Sequence, residues 1–420
     1  MQEFEGQELR QARGKFAAMA GSYFMGNFND NFYKQAVMLW AVAVGLGRYQ
    51  GAVGAAFTIP FILFAAPAGW LADRFPKRRV VIGAKSVELL ASFVGAAGLL
   101  LGNLWLMVGM VGLMGLQSTF FSPALNGSIP ELYPPEHVTR ANAMLRMVVT
   151  VGILLGISLS GSVLGVKGTP ILHAARGQAL VGLSVIAFAA IGLIISLGVP
   201  SLPAADPGRP FPRRGPLDTL AELGRIWSDR CLGRILVADV FVWAAGVFQL
   251  MVINTLGLKQ FHLSEMGTSL LLASQLVGLA MGGLLSASFA RGRRWHRVLV
   301  PAGFGMASAM GAIGLLPHLP ADLQIPCLYL FVALAGVTGG LFMIPCESFL
   351  QVRPAPERRG AVWASANFAA FSGMSLVSLA YTFVPALNRL LPTRAYLALG
   401  VCSLLFTLWL TNEFKRKDWA

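Results

Sequence analysis

Between Gly26 and Gln35 the chain reads Gly-Asn-Phe-Asn-Asp-Asn-Phe-Tyr-Lys-Gln, a stretch that holds one acid, Asp30, one base, Lys34, and the amides of Asn27, Asn29 and Asn31. A carboxylate among amides can hold a cationic amine or a coupling ion, and Asp30 and Lys34, four apart with the acid first, share a helix face and can also compensate one another. Two readings stay open at this point: a self-neutralised pair that tolerates burial, or a binding site. The stretch lies inside an apolar run from about Ala17 to Leu46, long enough to cross a bilayer. An ionisable group near the middle of a membrane helix costs about 2.5–3.5 kcal/mol on the insertion scale and persists where it faces a water-filled cavity or a partner. This helix is therefore expected to line a path.

Other polar groups recur inside apolar runs. Lys85 and Glu88, three apart, can form an intrahelical pair, and Lys85 lies close enough to a helix end to snorkel. Arg146 has no acid near it in sequence and can hold a phosphate. Arg234 and Asp239, five apart, face different ways on their helix: Arg234 suits an interfacial anchor, Asp239 and Gln249 a cavity. Glu131 and Glu347 close their helices beside basic loops, where each can gate or simply offset charge. Cys231, Cys327, Cys346 and Cys402 show no CxxC spacing, and no Cys or His grouping suits a metal, so neither disulfide, zinc nor other cofactor is expected.

The elements that must carry these groups follow from composition. Of 420 residues 55% are hydrophobic and 12% charged, with 47 glycines, which is a membrane protein's balance. Apolar runs near 17–46, 51–72, 80–101, 104–124, 138–166, 177–199, 232–256, 268–290, 297–316, 325–349, 360–385 and 394–413 predict an all-α membrane protein of twelve transmembrane helices. The run after the polar start exceeds a signal peptide's apolar core and has no small-residue cleavage site, so the first helix is expected to remain. The net charge of +14 is set by 33 Lys and Arg that gather in alternate connecting segments, which places both termini in the cytoplasm by the positive-inside rule. Basicity here reports topology and anionic membrane lipids, not nucleic acid.

Six prolines between Pro200 and Pro216, with Arg209, Arg213 and Arg214, mark residues 200–231 as a cytoplasmic linker between an N-terminal half, 1–199, and a C-terminal half, 232–420. Leu217–Trp227 within it can form an amphipathic helix on the membrane surface. Phe121-Ser122-Pro123 leading to Pro135-Glu136 is echoed by Phe342-Met343-Ile344-Pro345 leading to Pro356-Glu357, as parallel repeats about an axis along the membrane normal would show. Gly152, Gly156, Gly161 and Gly165 give two GxxxG spacings that permit close helix packing.

Between helices two and three stands Gly69-Trp70-Leu71-Ala72-Asp73-Arg74-Phe75-Pro76-Lys77-Arg78-Arg79. It resembles the G-x-L-x-D-R-x-G-R-[KR] loop of the major facilitator superfamily, with Pro76 where glycine is usual. The resemblance implies two six-helix halves and a gate built from Asp73, Arg74 and Arg78, with Glu131, Glu347 and Arg359 as further gating candidates. Within that superfamily the chain resembles the lysophospholipid transporter family, including its acyltransferase fusions. The matching stretches are Gly26-x-Phe28-x-Asp30-Asn31; Ser122-Pro123-Ala124 through Gly127, Pro130-Glu131-Leu132 and Arg140-Ala141-Asn142-Ala143; and Phe342-x-x-Pro345, Leu350-Gln351, Arg359-Gly360 and Ala364-x-x-Asn367-Phe368. The chain departs from the family at Leu125 and near Leu250, where a lysine and another basic residue are common and are candidate contacts to a headgroup phosphate.

The resemblance implies a lysophospholipid flippase, not an enzyme, in the bacterial inner membrane. It would move single-chain phospholipids to the cytoplasmic leaflet by alternating access, as a monomer, for re-acylation by a cytoplasmic acyltransferase. Substrate contacts fall on Asp30, which would hold an ethanolamine-type amine, and on Asn27, Asn31, Lys34, Phe28, Glu88, Arg146, Asp239 and Gln249; Phe24, Phe32 and Tyr33 can flank an acyl chain. The alternative is a polyspecific drug or small-solute exporter of the same superfamily, against which Gly156-Ile157 stands where drug–proton antiporters usually have G-P. An acyltransferase reading fails on H-x-x-x-x-D, since His318 has Asp322 four places on, and the end of the chain at Ala420 is expected to leave no room for a catalytic domain.

Overall fold

Long apolar runs broken by Gly, Pro and charge become long helices, and no strand occurs among the described residues. The computed structural model describes the backbone of all residues except Met1, 127–134, His173, Leu202, Arg209, 290–295, Pro356, Glu357 and 416–420, and the side chains of the same residues less 1–15, 126–143, Pro216 and 287–289. The helices longer than one turn are α1 (Gln2–Ala43), α2 (Gln50–Arg74), α3 (Lys77–Leu100), α4 (Leu104–Asn126), α5 (Pro135–Leu164), α6 (Arg176–Leu197), α7 (Gly215–Ser228), α8 (Arg230–Thr255), α9 (Glu265–Phe289), α10 (Leu299–Leu315), α11 (Ala321–Val352), α12 (Arg359–Phe383) and α13 (Pro392–Phe414). Among the described residues eleven helices, all but α1 and α7, are long and apolar enough to cross a membrane. The twelfth membrane helix is α1, 42 residues long, whose hydropathy is lowered by the polar run around Asp30.

Contacts divide the chain into two units, one of Met1–Val37 with Ala56–Pro216, the other of Met38–Ala55 with Leu217–Ala420. In the first, α3 packs on α4 and α6, and α5 lies so close to α1 that a Cβ at Gly156 would stand 2.5 Å from the Phe28 carbonyl oxygen. The GxxxG spacing of α5 thus permits backbone contact that any side chain would block. In the second, α9 packs on α11, α10 on α13 and α8 on α12. Leu90, Phe93, Trp105, Leu183, Ile194, Leu284 and Leu376 point outwards and are exposed, as lipid-facing residues must be.

The proline-rich linker folds against what precedes and follows it. In the first unit the ring of Phe211 meets that of Trp70 at 5.1 Å, and the Asp206 N–H donates to the Asp73 carbonyl at 2.9 Å. In the second, α7 is the amphipathic helix its pattern predicts. Its Ile226 and Glu222 are buried while Leu217, Leu220 and Trp227 are exposed. Glu222 Oε1 accepts from Arg358 Nη2 at 2.6 Å and Nε at 3.2 Å. Asp229 then caps α8, its Oδ1 accepting from the N–H of Cys231 at 3.0 Å and of Leu232 at 3.1 Å, which satisfies two otherwise unpaired helix donors.

Candidate functional site

In the first unit three helices bring their polar residues to one interior cluster. Glu88, three residues after Lys85, lies one turn along α3, and the two close an ion pair at 2.6 Å with both side chains fully buried. Lys85 does not snorkel, contrary to what its position near a helix end suggests. Its amine is tucked against α1, where a Cβ at Gly26 would stand 2.6 Å from Nζ, and over the ring of Phe121 at 4.7 Å. Glu88 Oε1 also accepts from Asn29 Nδ2 at 2.9 Å, tying α1 to α3. Both Glu88 oxygens are therefore taken by internal donors.

Asp30 is held differently. Its Oδ2 accepts from Ser118 Oγ at 2.6 Å and its Oδ1 from Gln117 Nε2 at 3.4 Å, both on α4. Among the described residues it closes no ion pair with Lys34, although their spacing permits one, and Lys34 Nζ lies over the ring of Phe57 at 4.4 Å. A buried carboxylate held only by neutral donors can exchange one of them for a cationic ligand, whereas one already in an ion pair cannot without exposing a buried amine. Asn27 and Asn31 do not reach this cluster: Asn27 Nδ2 donates to the Tyr23 carbonyl at 2.9 Å and Asn31 Nδ2 to the Asn27 carbonyl at 2.8 Å. Phe28 is buried in aromatic packing, stacked between Phe24 and Phe32 and edge-on to Phe188 of α6 at 4.8 Å. Tyr33 donates to the Gly95 carbonyl at 3.0 Å.

Beside this cluster the ends of α2, α3 and α4 enclose a groove of about 410 Å³. Leu71, Phe75, Val80, Val87, Leu116 and Phe120 make its walls apolar, Arg79 supplies a cation, and Gln117, the donor to Asp30, also lines it. The loop residues read as a gate belong to this unit. Arg74 lies over the Trp70 ring at 5.6 Å, and Arg78 Nη2 donates to the Leu197 carbonyl at 2.9 Å. Arg146 on α5 is exposed, and Glu131 lies outside the described residues.

In the second unit Asp239 of α8 and Glu347 of α11 are both buried, within electrostatic range of one another and of the Cys346 thiol. Arg234 is not an interfacial anchor. It pairs at 2.6 Å with Glu413 of α13, an acid 179 positions away that no local pattern singles out. Gln249 Oε1 accepts from Gln275 Nε2 of α9 at 2.9 Å. Arg359 donates to the carbonyls of Pro354 at 3.2 Å and Val352 at 3.4 Å, bracing the start of α12. A further network, not foreseen from sequence, joins Gln50 and Asn254: Asn254 Nδ2 donates to Gln50 Oε1 at 2.9 Å, and Gln50 Nε2 to the Met251 carbonyl and Thr255 Oγ1, each at 3.2 Å. Ser118 and Gln117 were also missed, though the run Gln117-Ser118-Thr119 in an apolar helix was a visible signal.

A family model described as Major Facilitator Superfamily matches residues 16–378. The chain belongs to this superfamily. It is a multi-pass membrane transporter, and its resemblance to the lysophospholipid transporter family stands on curated relatives as well as on motifs. Among them are lysophospholipid transporters LplT of Yersinia pestis (strain Pestoides F) and of Yersinia pseudotuberculosis serotype I (strain IP32953), each 29% identical over 303 residues, which cover 71% of this chain and 68% of the relative. Among solved structures, the inward-open xylose transporter XylE from E. coli superposes with a TM-score of 0.68 at 17% identity, covering 94% of each chain. A mutant of the nucleoside transporter NupG gives 0.70 at 15% identity, covering 96% of this chain and 100% of the other. At such identities the major facilitator superfamily likeness is one of fold.

Proposed function

We propose that this superfamily member is a lysophospholipid flippase of the bacterial inner membrane, with both termini in the cytoplasm. It delivers single-chain phospholipids to the cytoplasmic leaflet by alternating access, as a monomer, and a cytoplasmic acyltransferase restores the second chain. One observation carries this reading beyond the relatives' names: the groove in the first unit is apolar along its walls, carries Arg79, and shares Gln117 with the Asp30 cluster. That sequence of surfaces suits an amphiphile, with the acyl chain along Phe75, Val87 and Phe120, the phosphate at Arg79 and a headgroup amine towards Asp30. Asp73, Arg74, Arg78, Glu347 and Arg359 then serve the rocking of the two halves.

The test is leaflet movement of fluorescent lysophosphatidylethanolamine in proteoliposomes, read by albumin extraction, for wild type, Asp30→Asn and Arg79→Ala. Protein-dependent movement, lost in Asp30→Asn and reduced in Arg79→Ala, is the expected result. Movement no faster than in empty liposomes, with folded protein, overturns the lysolipid assignment for this headgroup and favours a polyspecific small-solute exporter.

A further inference from the structure

The amide of Gln117 is held by one end only. Its Nε2 commits one N–H to Asp30 Oδ1 at 3.4 Å and the other to Ser118 Oγ at 2.9 Å, while its Oε1 is buried with no hydrogen-bond partner among the described residues. The carboxylate fixes that orientation, because a carboxylate only accepts and must face the nitrogen end of the amide. Gln117 is 3% exposed, so bulk water does not serve the oxygen. A buried acceptor without a donor carries its full desolvation cost, and native folds leave few of them. Asn29 repeats the arrangement one residue before Asp30: its Nδ2 donates to Glu88 Oε1 at 2.9 Å, and its Oδ1 is buried and unpaired. Asn29 has no place on the wall of the groove between α2, α3 and α4, whereas Gln117 does. A molecule in that groove therefore approaches two acceptors joined through one side chain. The Asp30 carboxylate has neutral donors that a cation can replace, and the Gln117 carbonyl has none. Together they call for two N–H groups on one centre, which is a stricter demand than a positive charge.

From this geometry we infer that Gln117 is a specificity-determining residue which, with Asp30, selects a headgroup amine by its number of N–H groups. One N–H goes to Asp30 and a second to Gln117 Oε1, so an amine with two or more is accepted and one with fewer is disfavoured. The inference rests on the lysolipid reading and deepens it. Successive N-methylation of an ethanolamine headgroup leaves its positive charge in place and removes its donors one at a time, from three to none. A site that read charge alone would treat the whole series alike, and a site limited by space would weaken from the first methyl onwards. Selection by two acceptors instead leaves the first methyl without effect and puts a step at the second.

The experiment uses the full chain and four single-chain lipids of one acyl length: lysophosphatidylethanolamine, its N-methyl and N,N-dimethyl forms, and lysophosphatidylcholine. Apparent affinity is read in mixed micelles from the dependence of thermal stability on lipid mole fraction, and leaflet movement is followed in parallel in proteoliposomes. In wild type the first two lipids are expected to bind alike, the dimethyl form about tenfold or more weaker, and the choline form weaker again. Gln117→Met keeps the bulk of the side chain and loses the oxygen. In this variant the step between the N-methyl and dimethyl forms is expected to vanish, while the step to choline, set by Asp30, remains. A step that survives Gln117→Met, or a wild-type decline that begins with the first methyl, belongs to crowding and overturns the inference. Equal wild-type affinities for all four lipids leave Gln117 Oε1 to an internal water and overturn it too. The shape of the wild-type series carries the test if Gln117→Met does not fold. Binding ordered by donor number without leaflet movement refutes the flippase reading alone, and movement with affinity indifferent to methylation refutes this inference alone. Neither binding nor movement refutes both.

Discussion

Replacing Lys85 by methionine keeps the length and much of the volume of the side chain while deleting its charge, which isolates the ion pair to Glu88. The two groups meet at 2.6 Å with neither exposed, so solvent screens nothing. In Lys85→Met the Glu88 carboxylate keeps the Asn29 amide at 2.9 Å but loses the neutralising charge. Removing one partner of a buried pair costs about 3–5 kcal/mol, because the other charge stays buried without compensation. Glu88→Gln leaves the reciprocal problem, a buried ammonium facing an amide. In the double variant, Lys85→Met with Glu88→Gln, both charges are gone and the glutamine can still accept from Asn29. Replacing a whole buried pair by uncharged groups is often neutral, so the double variant should lie within about 2 kcal/mol of wild type and be more stable than Lys85→Met. The assay is an unfolding titration with sodium dodecyl sulfate in mixed micelles, run as a double-mutant cycle. Losses that add to within about 0.5 kcal/mol, or a Lys85→Met loss below about 1 kcal/mol, would refute the view that the pair is a closed structural unit.

Glycine substitutions separate close packing from open space in the second unit. A Cβ at Gly51 would overlap the Ser378 carbonyl oxygen, whereas one at Gly246 meets nothing within 4 Å. Gly51→Ala is expected to lose about 1–3 kcal/mol or more through forced backbone movement, and Gly246→Ala to be neutral or to gain up to about 1 kcal/mol from helix propensity, both read by thermal denaturation in detergent. Ser118→Ala removes the 2.6 Å donor from Asp30, and hydrogen bonds to charged groups are worth about 1.5–3 kcal/mol. Lysolipid movement should therefore change about tenfold or more in Ser118→Ala and recover in Ser118→Thr; an unchanged rate would take Asp30 out of the transport path.

Spans and buried pairs were legible in the sequence to different degrees, and for physical reasons. Helices are local, so apolar length alone located them, and α1 stood out because its polar residues sit in a run otherwise long enough to span. The Lys85–Glu88 pair was equally local, three residues apart on one face. Its environment was not: full burial depends on the space that Gly26 leaves, on a helix that sequence does not place beside α3. Asp30 and Lys34 show the same limit from the other side. Their spacing suits a pair, but Ser118 and Gln117 occupy the carboxylate and the lysine turns to Phe57. Arg234 read as an interfacial anchor because its partner Glu413 is on the last helix.

The departure at Leu125 gains a physical meaning from its surroundings. Leu125 is 1% exposed in an apolar cluster with Met19, Ala72, Val81 and Phe121, so a charge at this position has neither solvent nor a paired acid among those neighbours. A lysine common elsewhere in the resembling family would need different neighbours, and this chain has instead filled the space with hydrocarbon. Beside the paired Lys85, which lies over Phe121, the groove supplies Arg79, one residue before Val80, which belongs to both the cluster and the groove wall. An exchange of a buried base for an apolar residue, with a base retained at the groove, moves any phosphate contact outwards along the same helix packing. Under the proposed function the phosphate is met at the groove and the amine at Asp30, a division of labour that requires the ligand to carry both charges. A zwitterionic headgroup on one chain meets that requirement, whereas a hydrophobic cation lacking phosphate would leave the exposed Arg79 without a ligand partner.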